Sequence, residues 1–213
     1  MSEYEVRALG SDTWDAFAAL IERHNGVWGG CGCLAYHAKT PEMGQSVEGN
    51  RAVKKRLVSD GQAHAAVVFD GDRAVGWCQF GSPEELPRIA HRKEYDAGLA
   101  EPADYRITCF FVDRDYRRDG VSAAALRGAV DLIAEAGGGV VDGFPYDTQG
   151  GKANASFLYN GTRSLFEQAG FDYERPKGKN HCFMRAVIAP ADESTCSRGW
   201  FLRGGGEEPP LRS

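Results

Sequence analysis

The sequence has 213 residues, 42% hydrophobic and 26% charged, with a formal net charge of −5. This length fits one domain with a sizeable core, and the composition is that of an ordinary soluble globular chain. The acidic balance excludes a global basic field for nucleic acid, no apolar run approaches the roughly 18 residues of a membrane span, and MSEYEVRALGSD lacks the basic and apolar regions of a signal peptide.

Along the chain, residues 3–9 (EYEVRAL) read as a first strand. Ser11 or Asp12 can cap a helix over about residues 12–25, with Trp14, Phe17, Ala18 and Ile21 on one face. The glycine-rich GVWGGCGCLAYHAKTPEMGQ predicts irregular structure, and VEGNRAVKKRLVSDG a basic helix stopped by Gly61. HAAVVFD and RAVGWCQFG are two strands joined by a turn at Asp70-Gly71-Asp72. Residues 82–104 carry Pro83, Pro87 and Pro102 and predict a long polar excursion with room for a helical turn. RITCFFVD is a strand. Val121, Ala125, Ala129, Leu132 and Ala136 line one face of the next helix, ended by Gly137 to Gly139. VVDGFPYD is another strand. FLYNGTRSLFEQAG reads as a helix with Leu158, Thr162, Leu165 and Ala169 on one stripe, and FDYERP and HCFMRAVI as two closing strands. Beyond about residue 190 periodicity is lost. The reading is therefore one domain over 1–189 and a tail over 190–213, partly disordered or docked through Trp200-Phe201-Leu202. Strand, helix, strand, helix over 105–170 implies a βαβ unit. The expected class is α/β (α+β), a mixed, mainly antiparallel sheet of about seven strands flanked by about four helices.

The segment DRDYRRDGVSAAAL carries the chemistry. A strand ends at Val112, and Arg117-Arg118-Asp119-Gly120-Val121-Ser122 opens a helix. Free N–H groups of a first helical turn, with the helix dipole behind them, make an anion site. Gly120 allows close backbone approach. Ser122, Ala123 and Ala124 keep side chains clear, and Arg114, Arg117 and Arg118 supply counter-charge. A solvated charged turn is the plainer alternative for the hexapeptide taken alone. No Gly-Lys-Ser/Thr closes it as in a P-loop, and no Gly-x-Gly-x-x-Gly dinucleotide fingerprint is present.

RRDGVS resembles the pyrophosphate-binding motif of the GNAT superfamily of acyl-CoA-dependent N-acyltransferases, with Arg117 and Gly120 in the first two places and Ser122 in the last, where the family has Gly or Ala. SLFEQAGF (164–171) is similar to the family's second signature, Leu-Tyr-Glu-x-x-Gly-Phe, and the element order matches over about residues 3–188. The resemblance implies an N-acetyltransferase, or other N-acyltransferase, using acetyl-CoA or another acyl-CoA as co-substrate. Arg117, Arg118, Asp119, Gly120, Val121 and Ser122 would cradle the pyrophosphate, and Phe111 and Val112 would pair with the thioester arm. The acyl group would lie where the parallel strands RITCFFV and VVDGFPY splay apart, with a backbone N–H polarising the carbonyl.

A lysine-like acceptor is neutral in only about one molecule in 2,500 at pH 7, a penalty of about 4.6 kcal/mol, so a base or a water wire must help. Asp142, which interrupts VVDGF, is the base candidate; a salt bridge with Arg106 is its structural alternative. The family's proton-donating tyrosine is replaced by Phe166. Tyr159, seven residues earlier, is the substitute donor, and an ordinary amphipathic-helix aromatic is its alternative.

Six cysteines, at 31, 33, 78, 109, 182 and 196, sit mostly in apolar segments and suggest reduced thiols in a cytoplasmic protein. Cys31-x-Cys33-x-x-x-His37, with Cys182 or His181, offers soft ligands, but the spacing is not a standard zinc pattern and the reading assigns no metal. Small side chains and thiols packing a loop over the acceptor end of the sheet is the plainer account. By the same resemblance, residues 26–45 and 82–104 flank the acceptor pocket, where His91, Glu94, Tyr95 and Asp96 could meet a cationic amine or stand solvated. VKKRL at 53–57 reads as a solvated helix face. The implied partner is a small-molecule or peptide amine, with no nucleic acid and no membrane; a homodimer is allowed. The competing function is a non-catalytic acyl-CoA-binding sensor or regulatory module, kept open by Phe166.

Overall fold

A computed structural model describes residues 4–26, 30–148 and 158–192. Strand β1 (Glu5–Ala8) leads into α1 (Trp14–Arg23), and α2 (Val47–Ser59) follows the glycine-rich segment. β2 (His64–Asp70) and β3 (Arg73–Gly81) form the expected hairpin, with α3 (Arg92–Asp96) in the excursion that follows. β4 (Tyr105–Val112), α4 (Val121–Glu135) and β5 (Gly139–Gly143) make the βαβ unit, and α5 (Arg163–Gln168), β6 (Asp172–Lys177) and β7 (His181–Ile188) complete the order. The seven strands lie in one sheet, β1-β2-β3-β4-β5-β7-β6. β4 and β5 are parallel and the other neighbours antiparallel. This is the mixed, mainly antiparallel α/β architecture expected. The tail beyond residue 192, with Trp200-Phe201-Leu202 and Cys196, lies outside the described residues.

Two layers cover the sheet. On one face α4 lays Val121, Ala125, Leu126, Ala129 and Ile133 against Val68, Cys78, Ile107 and Val141. The spacing of those positions is the 3.6-residue period of a one-sided helix, and burying Leu126 or Ile133 stabilises by about 1.5–3 kcal/mol each. The helix comes close because its face is small: a side chain at Gly128 would fall 2.3 Å from Val6 Cγ1. On the other face α1 packs Trp14, Phe17, Ala18 and Leu20 on Val67, Phe69 and Trp77. α2 begins at Ser46, whose hydroxyl accepts the Gly49 N–H. Its basic face is only partly solvated: Arg51, Lys55 and Arg56 are exposed, but Lys54 is buried.

The helix expected over 157–170 is shorter. Thr162 has extended dihedrals and caps α5 by accepting the Leu165 N–H, so the helix starts at Arg163. Leu158 to Gly161 form a turn, closed by Gly161 N–H to the Leu158 carbonyl at 2.9 Å, with Gly161 at φ +76°. Tyr159 therefore does not share a helical face with Phe166; Phe157 lies outside the described residues.

Candidate functional site

The site grows from the end of β4. Asp113 opens a 3-10 turn over Arg114–Tyr116 and is buried beside two guanidinium groups, Arg73 at 3.0 Å and Arg23 at 3.4 Å, and the His24 imidazole at 3.1 Å. Burial alone would raise this carboxyl; hydrogen bonds from Arg73, the Asp115 N–H and His24 reverse that and hold its pKa at about 2. The chain then reaches α4 through left-handed residues, Arg118 at φ +69° and Gly120 at φ +82°. For arginine that conformation costs about 1–2 kcal/mol. A side chain at Gly120 would point into open space, and α4 has no side-chain cap at this end. The first-turn N–H groups of Val121 and Ser122 therefore face outward, as an anion site needs. Arg114, Arg117 and Arg118 are exposed around it. Asp119 differs: its carboxylate is engaged, accepting the Tyr4 hydroxyl at 2.6 Å. Tyr116, bonded to Asp70 at 2.8 Å, ties the same loop to the β2–β3 turn.

Beside the loop, β4 and β5 part. They pair only at Tyr105–Val141, Arg106–Asp142 and Ile107–Gly143. The register of β4 against β3 shifts at the same level: Gln79 faces Cys109 while Phe80 faces Ile107, so Thr108 is the extra residue of a bulge. Segment 158–163 enters the gap. Its Tyr159 carbonyl accepts the Phe110 N–H at 2.6 Å, and the Asn160 side-chain amide donates to the Thr108 carbonyl and, at 2.7 Å, to the Tyr36 hydroxyl. Asp113 N–H turns to Val75 on β3, so by strand alternation Val112 turns its N–H and C=O to the opposite edge, as Phe110 does. The Phe111 ring stacks on Trp77 with centroids 4.8 Å apart, which fixes this end of the strand.

The two catalytic candidates fare differently. Tyr159 is in the segment that fills the opening, and it is 41% exposed. Asp142 is fully buried and already engaged: Tyr95 Oη donates to it at 2.5 Å, Arg185 Nε at 2.8 Å and Arg185 Nη2 at 3.1 Å. Burial, then the bond to Asp142, push the Tyr95 hydroxyl up to about 12, so it stays a donor. The expected partner Arg106 instead donates to the Leu86 carbonyl at 3.0 Å. Phe166 is fully buried, its ring filling the space above Gly143, where a side chain would come within 2.2 Å of it.

Sequence reasoning missed a cluster on the α2 side of β3 and β4. Lys54, 2% exposed, approaches Gln79 Oε1 at 3.4 Å and His37 Nε2 at 3.5 Å. Burial lowers its pKa to about 8 against the opposing pull of Cys33, Cys109, Cys31 and Glu85. Burial, then Lys54, lower that of His37 to about 3, so the imidazole is neutral. Burial and the neighbouring thiols raise the Tyr36 hydroxyl. Cys33 and Cys109 hydrogen-bond within this cluster, whereas Cys182 turns to the Pro145 carbonyl and His181 packs on Tyr146. Among the described residues no three His, Cys, Asp or Glu side chains are grouped as metal ligands. The one sequence signal for Lys54 is its place beside Val53 and four residues after Asn50, on the inward face of α2. Lys54 also lines a cavity of about 270 Å³ between α1 and α2, walled by Trp14, Ala18, Ile21 and Val47.

No family model and no curated protein matches the chain. The chain is similar to solved N-acetyltransferases. The ribosomal-protein-S18-alanine N-acetyltransferase of Escherichia coli is 12% identical, with 93% of this chain and 100% of that one covered and a TM-score of 0.46. The ribosomal-protein-S5-alanine acetyltransferase of Vibrio fischeri is 13% identical, with 88% and 94% covered and a TM-score of 0.49. A GNAT family N-acetyltransferase of Escherichia coli in complex with CoA is 14% identical, with 89% and 83% covered and a TM-score of 0.47. Among the described residues no helix is long and apolar enough to cross a membrane.

Proposed function

We propose that the protein is a GNAT-type N-acyltransferase that moves an acetyl or other acyl group from CoA to an amine by direct transfer. The observation that carries this reading is a juxtaposition. The uncapped start of α4, with its exposed arginines, adjoins the strand edge where β4 leaves β5. An extended ligand with a diphosphate at one end and an amide-rich arm at the other matches that surface. Arg117, Arg118, Gly120, Val121, Ser122 and the Asp119 backbone hold the pyrophosphate. Val112, beside Phe111, offers its N–H and C=O to the arm.

The acceptor nitrogen, having lost its ammonium proton to solvent through water, attacks the thioester carbonyl; the N–C bond forms, the C–S bond breaks, the CoA thiolate takes a proton from Tyr159, and the proton still carried by the new amide nitrogen passes through water to the tyrosinate. Tyr159 is the donor in this scheme, from a turn already bonded to β4. Asp142 is an anchor for Arg185 and Tyr95 rather than the base. Positioning the two reactants accounts for much of the acceleration such a transfer needs. The acceptor is a small-molecule or peptide amine. A non-catalytic acyl-CoA sensor is the second reading, favoured by one observation: the buried Phe166 has no proton to give.

Calorimetric titration with acetyl-CoA, beside an Arg117→Ala/Gly120→Glu variant, tests the cradle. Micromolar binding lost in the variant is the expected result; a parent that binds neither acetyl-CoA nor longer acyl-CoAs refutes the reading. CoA release with a panel of amines then separates enzyme from sensor.

A further inference from the structure

Lys54 poses an unsolved electrostatic problem. Its ammonium sits in the interior between α2, β3 and the 31–46 segment, and among the described residues it joins no ion pair; its two contacts are long and go to neutral acceptors. Glu85, the carboxylate whose field reaches it, is committed elsewhere, to His64 at 3.1 Å and the Ser82 N–H at 2.8 Å. A buried charge without a counter-charge is expensive, and proteins keep one where a partner or a task supplies the compensation. The neighbouring Gln79 repeats the pattern: it is 1% exposed, its Oε1 faces Lys54, and its Nε2 is buried with no partner among the described residues. One residue from Cys109, Thr108 Oγ1 is a further buried hydroxyl with no partner among the described residues. Donors in surplus, one of them charged, in a place short of acceptors, are complementary to an anion with two acceptor oxygens.

We propose that Lys54 Nζ and Gln79 Nε2 form a subsite for a carboxylate carried by a substrate of the transfer reaction. This rests on the acyltransferase reading, because it places the subsite beside the strand edge assigned to the thioester arm. Cys109 joins the two: its side chain lies in the Lys54 cluster and its backbone is part of β4 just past the last pair with β5. The carboxylate arrives either at the far end of a dicarboxylic acyl group, from the opening, or on an amino-acid acceptor, whose apolar side chain the cavity between α1 and α2 would take.

Two matched pairs of probes, each differing by one carboxylate, test this on the full chain. Succinyl-CoA against propionyl-CoA, by calorimetry, reports the acyl source. Leucine against 3-methylbutylamine, by CoA release from acetyl-CoA, reports the acceptor source. The expected result is a preference of about ten- to a hundredfold for the carboxylate-bearing member of one pair. That preference should collapse towards one in Lys54→Met and weaken in Gln79→Leu, which removes only the neutral donor. Each preference is a ratio within one protein, so partial misfolding of a variant cancels. Acetyl-CoA binding without a carboxylate preference in either pair, or a preference that survives Lys54→Met, overturns the subsite alone. A parent that binds no acyl-CoA overturns the acyltransferase reading and the subsite with it.

Discussion

Replacing Asp142 separates an anchor from a general base. The carboxylate is fully buried and takes two hydrogen bonds from Arg185 and one from Tyr95. In Asp142→Ala the Arg185 guanidinium, its side chain 14% exposed, keeps a hydrogen bond to the Glu101 carbonyl at 3.1 Å and, as counter-charge among the described residues, only the solvent-exposed Glu101 carboxylate at 3.9 Å. Breaking a buried pair from one side costs about 3–5 kcal/mol. In a chain of this size each kcal/mol moves the thermal midpoint by about 2–4 °C, so the midpoint should fall by about 6–20 °C. Asp142→Leu/Arg185→Leu should lose less than Asp142→Ala, because no charge is left buried alone. Turnover, read as CoA release well below the midpoint, should stay within a small factor of the parent with the same pH profile. A general base would do the opposite, costing about 10²–10⁴ in rate with little change in stability. An unmoved midpoint together with a collapsed rate would refute the anchor and return Asp142 to the chemistry.

Three further outcomes follow from the same geometry. Tyr159→Phe should leave stability within about 0.5 kcal/mol, since the side chain is exposed, and lower turnover by about 10² or more; stopped assays at several pH values would show an unchanged rate if Tyr159 gives no proton. Lys54→Met should stabilise the protein. Burial takes this amine from 10.5 to about 8, so at pH 7 it costs about 3 kcal/mol. The unfolded chain binds more protons between those two values, so the parent gains stability as pH rises from about 8 to 10.5 and the variant's advantage fades to nothing above that. His37, Cys31, Cys33, Cys109 and Glu85 face the amine, so denaturant midpoints should be read as the parent–variant difference across the whole pH range. Gly143→Ala should destabilise by about 1–3 kcal/mol, because its methyl would meet the Phe166 ring at 2.2 Å. Phe166→Leu should relieve part of that in a double-mutant cycle, and additive losses would deny the contact.

The hairpin of β2 and β3, the βαβ unit and the closing pair were legible because each is a local pattern: alternation, a turn signal, or a one-sided helical stripe. The start of α4 was legible for the same reason, since a glycine and three arginines at one helix end are a local arrangement. The length of α5 was not. Leu158, Thr162, Leu165 and Ala169 fit a helical stripe, but the Thr162 cap and left-handed Gly161 outrank periodicity at that point. Asp142 was found as an oddity in an apolar strand, and its partner was misassigned. Arg106 is its register neighbour on β4, yet the ion pair comes from Arg185 on β7, on the opposite side of β5. Lys54 was hidden by its type, because a lysine amid basic residues reads as solvated unless the packing partner of that helix face is known.

The Thr108 bulge connects the opening with the buried cluster. In a regular strand, residues two apart share a face. Here Ile107 and Phe110 both belong to the core under α4, while Arg106 lies over the Tyr95 ring and Cys109 faces Gln79. The repeat across the bulge is three, and it has two consequences. The strand bends at the level where its pairing with β5 stops, which creates the edge that Val112 continues. The inserted residue also brings the Cys109 thiol, rather than a bulky Phe110 ring, to the Lys54 side. Asn160 then holds the bend by donating to the Thr108 carbonyl that the lost pairing leaves exposed. A single extra residue in β4 thus produces both the opened strand edge and the polar wall beside it, so a change that straightened this strand should remove both features together.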